Sequence, residues 1–480
     1  MSATLTATTA LRCDLIRLER TNMVTKMEDR VKVDLVAFSK LILENLQQCH
    51  PISLADTPEM LHRIAVQFNQ GALLQYQYGE IDKAEQLCRA EIELFAHLSS
   101  YSSHRGLCLA SMVAPYINLA RIYGQKGEVK ESLSIFEDIY RFGLQQQDLC
   151  IFGHRISAID LPAMCATSGP AFQKLLLSCR VVESARVLQT IEDYPALLAL
   201  VEQNEGLPEY EDTFFKQYLL ELRSRVLMNI GEHELALRSL AECCSLMPSN
   251  TTDRVVAHLL LSQIYREWQR YDLAANTLNK VEDHFAALQQ FGKRLPILRQ
   301  LAYRIALERH EMGDNALALE PAEKAFKLCS ELSDQPGCIK TAILLLRICS
   351  DGAIGPESAQ LQRSWYEELK RVASTTYFRL ERACAYWELG STAELVEPYP
   401  ENARTSACEY LRSSYDLYRS IPFVDSRQSA EAVKRSLEAA IRRLAPIEFN
   451  REIAPQNDPS IDSTFDALME YVPESLLATH

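Results

Sequence analysis

Two short amphipathic segments around a single turn residue form a pattern that recurs along this chain. In the clearest copy, residues 116–136, Leu119 and Tyr123 precede Gly127, and Phe136 follows it. Apolar residues at helical spacing on both sides of a glycine predict two helices joined by a tight turn. Because one such hairpin cannot bury its apolar face alone, recurring copies predict a stacked array with a shared core.

The turn residues of the copies are Gly79, Gly127, Gly231, Gln269, Gly313 and Gly390. The intervals between them are 48, 104, 38, 44 and 77 residues, and the two longest each correspond to two repeats. We therefore place degenerate copies near residues 172–190 and 340–372, which gives an array of about eight hairpins. Glycine is otherwise scarce, with 16 in 480 residues, which argues against sheet-rich folds and phosphate-cradling loops.

Residues 118–120 read Asn-Leu-Ala, and Tyr123 and Gly127 follow them at the spacing of an aromatic residue and a turn glycine. Over roughly residues 60–420 the chain resembles the tetratricopeptide-repeat (TPR) family, although its repeats exceed the family's period of about 34 residues. The resemblance implies an all-α fold, a right-handed α-α superhelix. It also implies packing or turn roles for a set of repeat-structural residues: Ala120, Tyr123, Gly127, Gly231, Ala236, Tyr265, Ala274, Gly313 and Ala318.

We expect the chain to have four parts. They are an N-terminal helical cap segment (1–56), the repeat array (57–420), a C-terminal capping helix (421–450) and a partly mobile tail (451–480). A threonine followed by Pro58 predicts the first helix of the array. The tail has four apolar residues at helical spacing: Phe465, Leu468, Met469 and Val472. Two roles stay open for this segment, docking onto the array and binding a partner.

The chain is mildly acidic, with 50 Lys and Arg against 64 Asp and Glu and a net charge of −14. This balance argues against general affinity for nucleic acid or for anionic membranes, since both require a basic surface. The 14 cysteines include no CxxC pair, so we expect reduced thiols without a metal or another cofactor. The apolar runs are too short for a membrane span of about 20 residues, and the N-terminus is not that of a secretory signal. The sequence therefore predicts a cytoplasmic protein.

No catalytic residues are predicted, because the chain has no P-loop, GxGxxG, GxSxG or HExxH motif. His97 and His104 would share one face of an unbroken helix, but the serine-rich segment 99–103 is expected to interrupt it. Residues 160–170, which include two prolines, are expected to form a loop.

In the TPR family the first helix of each repeat lines an inner groove, and fixed positions on that helix face the ligand. The resemblance carries this partner-binding role to Asn118, Arg121, Lys174, Arg225, Arg266, Tyr303 and His310. A basic row in a groove would bind a carboxylate-rich peptide or a phosphate. The alternative is a solvated helix face with pairs inside one helix, such as Glu221 with Arg225.

These patterns favour a non-enzymatic scaffold or adaptor that binds a protein or peptide, an acidic one in particular. A ligand-responsive regulator is one alternative, and an enzyme or accessory subunit with a pocket between repeats is another. Self-association through the end repeats also stays open, because the fold does not decide among these functions.

Overall fold

The structure, a computed structural model, describes residues 57–100, 102–247, 252–290, 295–350, 358–397 and 399–444. Within these ranges the chain is all-α apart from one small hairpin of strands, and its helices form TPR-like hairpins. This confirms the expected fold class. The predicted N-terminal cap segment (1–56) and tail (451–480) lie outside the described residues, as do residues 445–450.

The described residues up to Glu211 form one compact unit, unit 1. A π-helical turn, Cys179–Glu183, joins two of its helices without a break. Its elements are α1 (Pro58–Gln77), α2 (Ile81–Leu98), α3 (Arg105–Lys126), α4 (Val129–Gln145), β1 (Leu149–Ile151), β2 (His154–Ile156), α5 (Leu161–Ser168), α6 (Pro170–Ser178), α7 (Ser184–Thr190) and α8 (Tyr194–Asn204).

The described residues from Asp212 onward form a second compact unit, unit 2. Its elements are α9 (Thr213–Asn229), α10 (His233–Ser245), α11 (Thr252–Glu267), α12 (Tyr271–Gln290), α13 (Leu295–Glu311), α14 (Asn315–Glu331), α15 (Gln335–Ser350), α16 (Ser358–Thr375), α17 (Arg379–Val396), α18 (Pro400–Arg419) and α19 (Val424–Leu444). The last of these lies within the expected capping segment and packs on α18.

The turns share one hydrogen-bond pattern, a Schellman motif. At the turn between α3 and α4, Glu128 N–H donates to the Tyr123 carbonyl and Gly127 N–H donates to the Gly124 carbonyl. The pattern needs a residue with positive φ, a conformation that glycine adopts without a steric penalty. The same two bonds and a positive φ recur at Gly79, Gly127, Glu192, Gly231, Gln269, Gly313 and Ser333. The turns predicted at 79, 127, 231, 269 and 313 are therefore confirmed.

Unit 2 has its helices in two layers. The first helices of its hairpins are α9, α11, α13, α15 and α17, and each packs against its second helix and against the next first helix. The described second helices make no comparable contacts with one another. Because the first helices approach each other more closely, their layer is the inner side of the stack in unit 2.

Small side chains allow the helices of one hairpin to approach closely. Ser224 and Ser262 are fully buried on first helices. Each donates a hydrogen bond from its hydroxyl to an alanine carbonyl of the paired second helix, at 2.9 Å to Ala236 and at 3.2 Å to Ala274. This bond satisfies a hydroxyl that would otherwise be costly to bury.

Three local predictions are wrong. Gly390 is not at a turn but inside α17, where an added Cβ would lie 2.7 Å from Leu411 Cγ, so this glycine permits close packing on α18. Residues 160–170 form α5 and the start of α6 rather than a loop, because both prolines occupy first-turn positions where no donor is needed. Residues 172–190 run as one nearly continuous helical segment instead of a hairpin.

Other local predictions are confirmed. The first described helix begins at Pro58, as the preceding threonine and this proline predicted. The serine-rich segment interrupts the helix between His97 and His104, since α2 ends at Leu98 and α3 begins at Arg105.

Candidate partner-binding face

Arg121 on α3 is the centre of a polar network in unit 1. Its guanidinium donates two hydrogen bonds of 2.7 Å to the two carboxylate oxygens of Glu183. It also donates to the Asn118 side-chain oxygen at 2.9 Å, and Asn118 in turn donates to Asn69 on α1. The predicted residues Asn118 and Arg121 are thus brought together, in a row that crosses three helical segments.

Glu183 reaches this network because the π-helical turn carries it inward. Its side chain is only 5% exposed, and it also accepts a hydrogen bond of 3.0 Å from Arg186. The hydrogen bonds from Arg121 to this carboxylate raise the pKa of the Arg121 guanidinium. Arg121 is therefore a charged side chain whose partner within the chain is already in place.

Arg266 on α11 has an equivalent arrangement in unit 2. Its Nε donates to Glu308 Oε1 on α13 at 3.2 Å, and Glu308 is almost completely buried. Burial raises the pKa of Glu308, and the charge and hydrogen bond of Arg266 oppose that shift. The predicted residue Arg266 thus neutralises a carboxylate on the next first helix.

Arg347 on α15 repeats the arrangement two hairpins further along the chain. Both its Nε and its Nη2 donate to Glu388 Oε2 on α17, at 2.9 and 2.7 Å. Each cation lies on one first helix and each carboxylate on the next. We call the pairs Arg266–Glu308 and Arg347–Glu388 the inner ladder of unit 2.

Arg225 on α9 departs from this pattern. Its Nη2 donates to Glu221 Oε1 at 2.7 Å within the same helix, as the sequence alternative expected. Arg304 on α13 is partly buried, and no carboxylate among the described residues lies within ion-pair distance of it. Burial and the nearby charge of Arg225 lower the pKa of Arg304, while Glu221 opposes that shift. Arg304 therefore lies on the inner layer without an ion-pair partner among the described residues, and Glu221, which pairs with Arg225, acts on it only as a nearby charge.

The remaining predicted partner-binding residues have different surroundings. Lys174 lies exposed on α6. Tyr303 is partly buried against two core clusters of unit 2, and burial raises its pKa. His310 Nδ1 hydrogen-bonds the Asn315 side-chain oxygen at 2.7 Å at the turn between α13 and α14.

The repeat-structural residues lie where a hairpin needs them. The small residues are completely buried at helix crossings: Ala120, Ala236, Ala274 and Ala318. The glycines have φ between 82° and 88° at the turns: Gly127, Gly231 and Gly313. The aromatic residues Tyr123 and Tyr265 are partly buried, and the Tyr123 hydroxyl accepts a hydrogen bond of 2.8 Å from Arg89.

Sequence reasoning found the basic side chains but missed the acidic ones that face them. The cations and their carboxylates are 42 residues apart for Arg266 and Glu308, and 41 for Arg347 and Glu388. These separations equal one repeat, so a search for opposite charges one repeat apart would have found both pairs. Arg304 carries no such signal, because its importance comes from the absence of a nearby partner.

No cluster of three or more His, Cys, Asp or Glu side chains in the described part of the chain has an arrangement that could hold a metal ion. None of the described helices combines the length and the apolarity that crossing a bilayer requires.

No protein-family model matches the chain, and no curated protein matches it. Among solved structures, it is similar to a STAND signal-transduction ATPase with a TPR sensor from Pyrococcus horikoshii, at 10% identity over 87% of this chain and 80% of that one, with a TM-score of 0.39. It is also similar to yeast Tom70, at 10% identity, 91% and 97% coverage and a TM-score of 0.33. The TPR domain of P58(IPK) matches at 14% identity, 84% and 98% coverage and a TM-score of 0.18. The chain is TPR-like on the evidence of its own hairpins and turns.

Proposed function

We propose that this protein is an interaction scaffold or adaptor that holds a partner protein or peptide on the inner layer of unit 2. The observation that carries the proposal is the partly buried guanidinium of Arg304, which has no carboxylate of the described residues within ion-pair distance, while the nearby Arg225 already pairs with Glu221. A carboxylate from a partner would restore the local charge balance. Arginine suits this role because its planar donors bind a carboxylate through two hydrogen bonds.

The inner ladder supports the proposal in a second way. Arg266 and Arg347 are held by carboxylates on neighbouring first helices, so these two side chains are positioned before a partner arrives. A preorganised side chain loses less conformational entropy on binding than a mobile one. Arg347 also keeps 58% of its side chain exposed, which leaves it accessible to a polar partner. The cytoplasmic location stays a prediction.

Charge reversal of the two arginines tests the proposal. The full-length chain with Arg225→Glu and Arg304→Glu is compared with wild type by cross-linking and affinity purification from the native source. The matched control is Arg238→Glu, since Arg238 is an exposed arginine on the second helix α10. We expect wild type and the control to recover the same partners and the double variant to lose them by tenfold or more.

Melting curves of the three proteins accompany this experiment, because a loss of partners has meaning only for a folded chain. Partners that the folded double variant recovers at wild-type abundance would contradict the assignment of this surface. Loss of the same partners from the Arg238→Glu control would show that they respond to net charge rather than to the inner layer.

A further inference from the structure

Arg304 on α13 combines an unneutralised charge with apolar neighbours. No carboxylate among the described residues lies within ion-pair distance of its guanidinium, whereas three other arginines of the inner layer each bind a glutamate: Arg225, Arg266 and Arg347. Tyr303 and Leu307, on the same helix, are partly buried against a core cluster of unit 2. A partly buried cation without a counter-charge is unfavourable. A ligand for this part of α13 should therefore supply both a carboxylate and apolar side chains.

The sequence of residues 452–480 has this combination. It contains six Asp and Glu residues and no Lys or Arg. Asp462, Asp466 and Glu470 recur every fourth residue, which is the spacing of one side of a helix. The four apolar residues of the tail lie in the same stretch, between positions 465 and 472. We call residues 462–472 the acidic tail segment.

The length of chain after α19 is sufficient for this segment to reach Arg304. α19 contacts α17, α17 contacts α15, and α15 contacts α13. Because contacting helices lie about 8–10 Å apart, about 30 Å separate the axes of α19 and α13. The 17 residues from 445 to 461 can extend to about 55 Å, which also allows for a displacement along the helices.

We propose that the acidic tail segment docks on α13 of its own chain, with a carboxylate bound to Arg304 and apolar side chains against Tyr303 and Leu307. A tethered segment has an effective concentration of about 1 mM, so a weak contact is enough to keep it in place. The regulatory part of the inference rests on the proposed function, since the docked segment would compete with a partner for Arg304.

Zero-length cross-linking of a full-length Arg304→Lys variant tests docking without any partner. The substitution keeps the positive charge, and a carbodiimide joins the new amine to a carboxylate in contact with it. Trypsin cleaves after Arg451 and finds no further site in residues 452–480, so the tail stays in one peptide. We expect this peptide to be linked to residues 300–309. The matched control is Arg238→Lys on the second helix α10, where linkage to the tail should be about tenfold lower.

A second variant tests the apolar part of the contact. Phe465→Ala combined with Met469→Ala keeps every tail carboxylate, and it should reduce linkage at position 304 about fivefold because apolar contact area is lost. Docking within one chain keeps the linked product monomeric, with a yield that does not depend on protein concentration. Linked dimers that disappear on dilution would identify the tail of a second copy as the occupant and would overturn the proposal. Equal linkage in Arg304→Lys and Arg238→Lys, or none in either folded variant, would overturn it as well.

Competition with a partner is measured separately. The full-length chain with Asp462→Asn, Asp466→Asn and Glu470→Gln should recover about threefold more partner than wild type, because Arg304 is no longer occupied. Unchanged recovery would overturn the regulatory role even where linkage at position 304 is found. Failure of the linkage experiment contradicts tail docking alone, because the loss of partners from the Arg225→Glu and Arg304→Glu variant tests the proposed function independently.

Discussion

At the scale of single residues, the described chain keeps a few polar groups in apolar surroundings. Glu91 on α2 is the clearest case, because it is 1% exposed and its Oε2 has no hydrogen-bond partner. Burial raises the pKa of this carboxyl group well above its ordinary value. No sequence pattern indicated that Glu91 is buried, since a glutamate on an amphipathic helix is normally expected on the solvated face.

Glu91 should make stability depend on pH. The folded chain prefers the protonated carboxyl, so its contribution is fully present below the unfolded pKa of about 4.5. That contribution declines as pH rises from there toward the raised folded pKa. We therefore expect Glu91→Met to increase the free energy of unfolding by about 1–3 kcal/mol near pH 7, with little gain in acid.

Denaturant unfolding at several pH values measures this effect. Glu93→Met is the matched control, because Glu93 is exposed on the same helix and should change stability by less than about 0.5 kcal/mol. A loss of stability at neutral pH in Glu91→Met would show that the carboxylate has a partner that stabilises it.

At the scale of helices and turns, the sequence was most informative where one residue type has one physical role. Four turns were predicted correctly from glycines that directly precede a helix, because the Schellman motif needs a residue with a positive φ. The turns at Glu192 and Ser333 were missed, since neither residue type signals that conformation. Gly390 was misassigned because a glycine for close helix packing looks the same in sequence as a glycine for a turn.

The candidate partner-binding face could likewise be predicted from the sequence only in part. The positions of Arg121 and Arg266 on first helices could be predicted from the repeat register, because equivalent positions on successive repeats face the same side. The carboxylate partner of Arg121 could not, since Glu183 reaches Arg121 through a π-helical turn that no sequence pattern indicated. A local irregularity of the backbone thus decided which charges meet.

The turns allow a test of backbone conformation separate from packing. Gly231 has a φ of 87°, and a Cβ added there would meet nothing within 4 Å. We therefore expect Gly231→Ala to lower stability by about 1–2 kcal/mol through the backbone alone. Gln269 has a φ of 60° at the equivalent turn, so Gln269→Gly should raise stability by up to about 1 kcal/mol.

Chemical denaturation of both variants gives the comparison. The essential outcome is that the two variants change stability in opposite directions. Adding a side chain at Gly231 should lower stability, and removing the side chain at the equivalent position Gln269 should raise it. If Gly231→Ala were neutral, the positive φ would not be what selects glycine at these positions.

At the scale of the whole molecule, the described chain has two compact units, each with its own buried cores. In a repeat array each hairpin contacts mainly its neighbours, so a local defect should spread over a limited distance. Ala306 on α13 is a suitable place for a defect, because it is completely buried among the helices α13, α14 and α15.

We expect Ala306→Trp to force these helices apart, to cost about 1–3 kcal/mol or more and to lower the melting temperature. Hydrogen exchange followed by mass spectrometry should show faster exchange in α11–α16, while α1–α4 of unit 1 keep their wild-type protection, since openings are confined to contiguous cooperative segments. The matched control is Leu317→Trp, since Leu317 is 57% exposed and a larger ring there meets solvent. An equal rise in exchange across both units would mean that the chain unfolds as one cooperative body, and an unchanged melting curve would mean that Ala306 is not at a tight helix crossing.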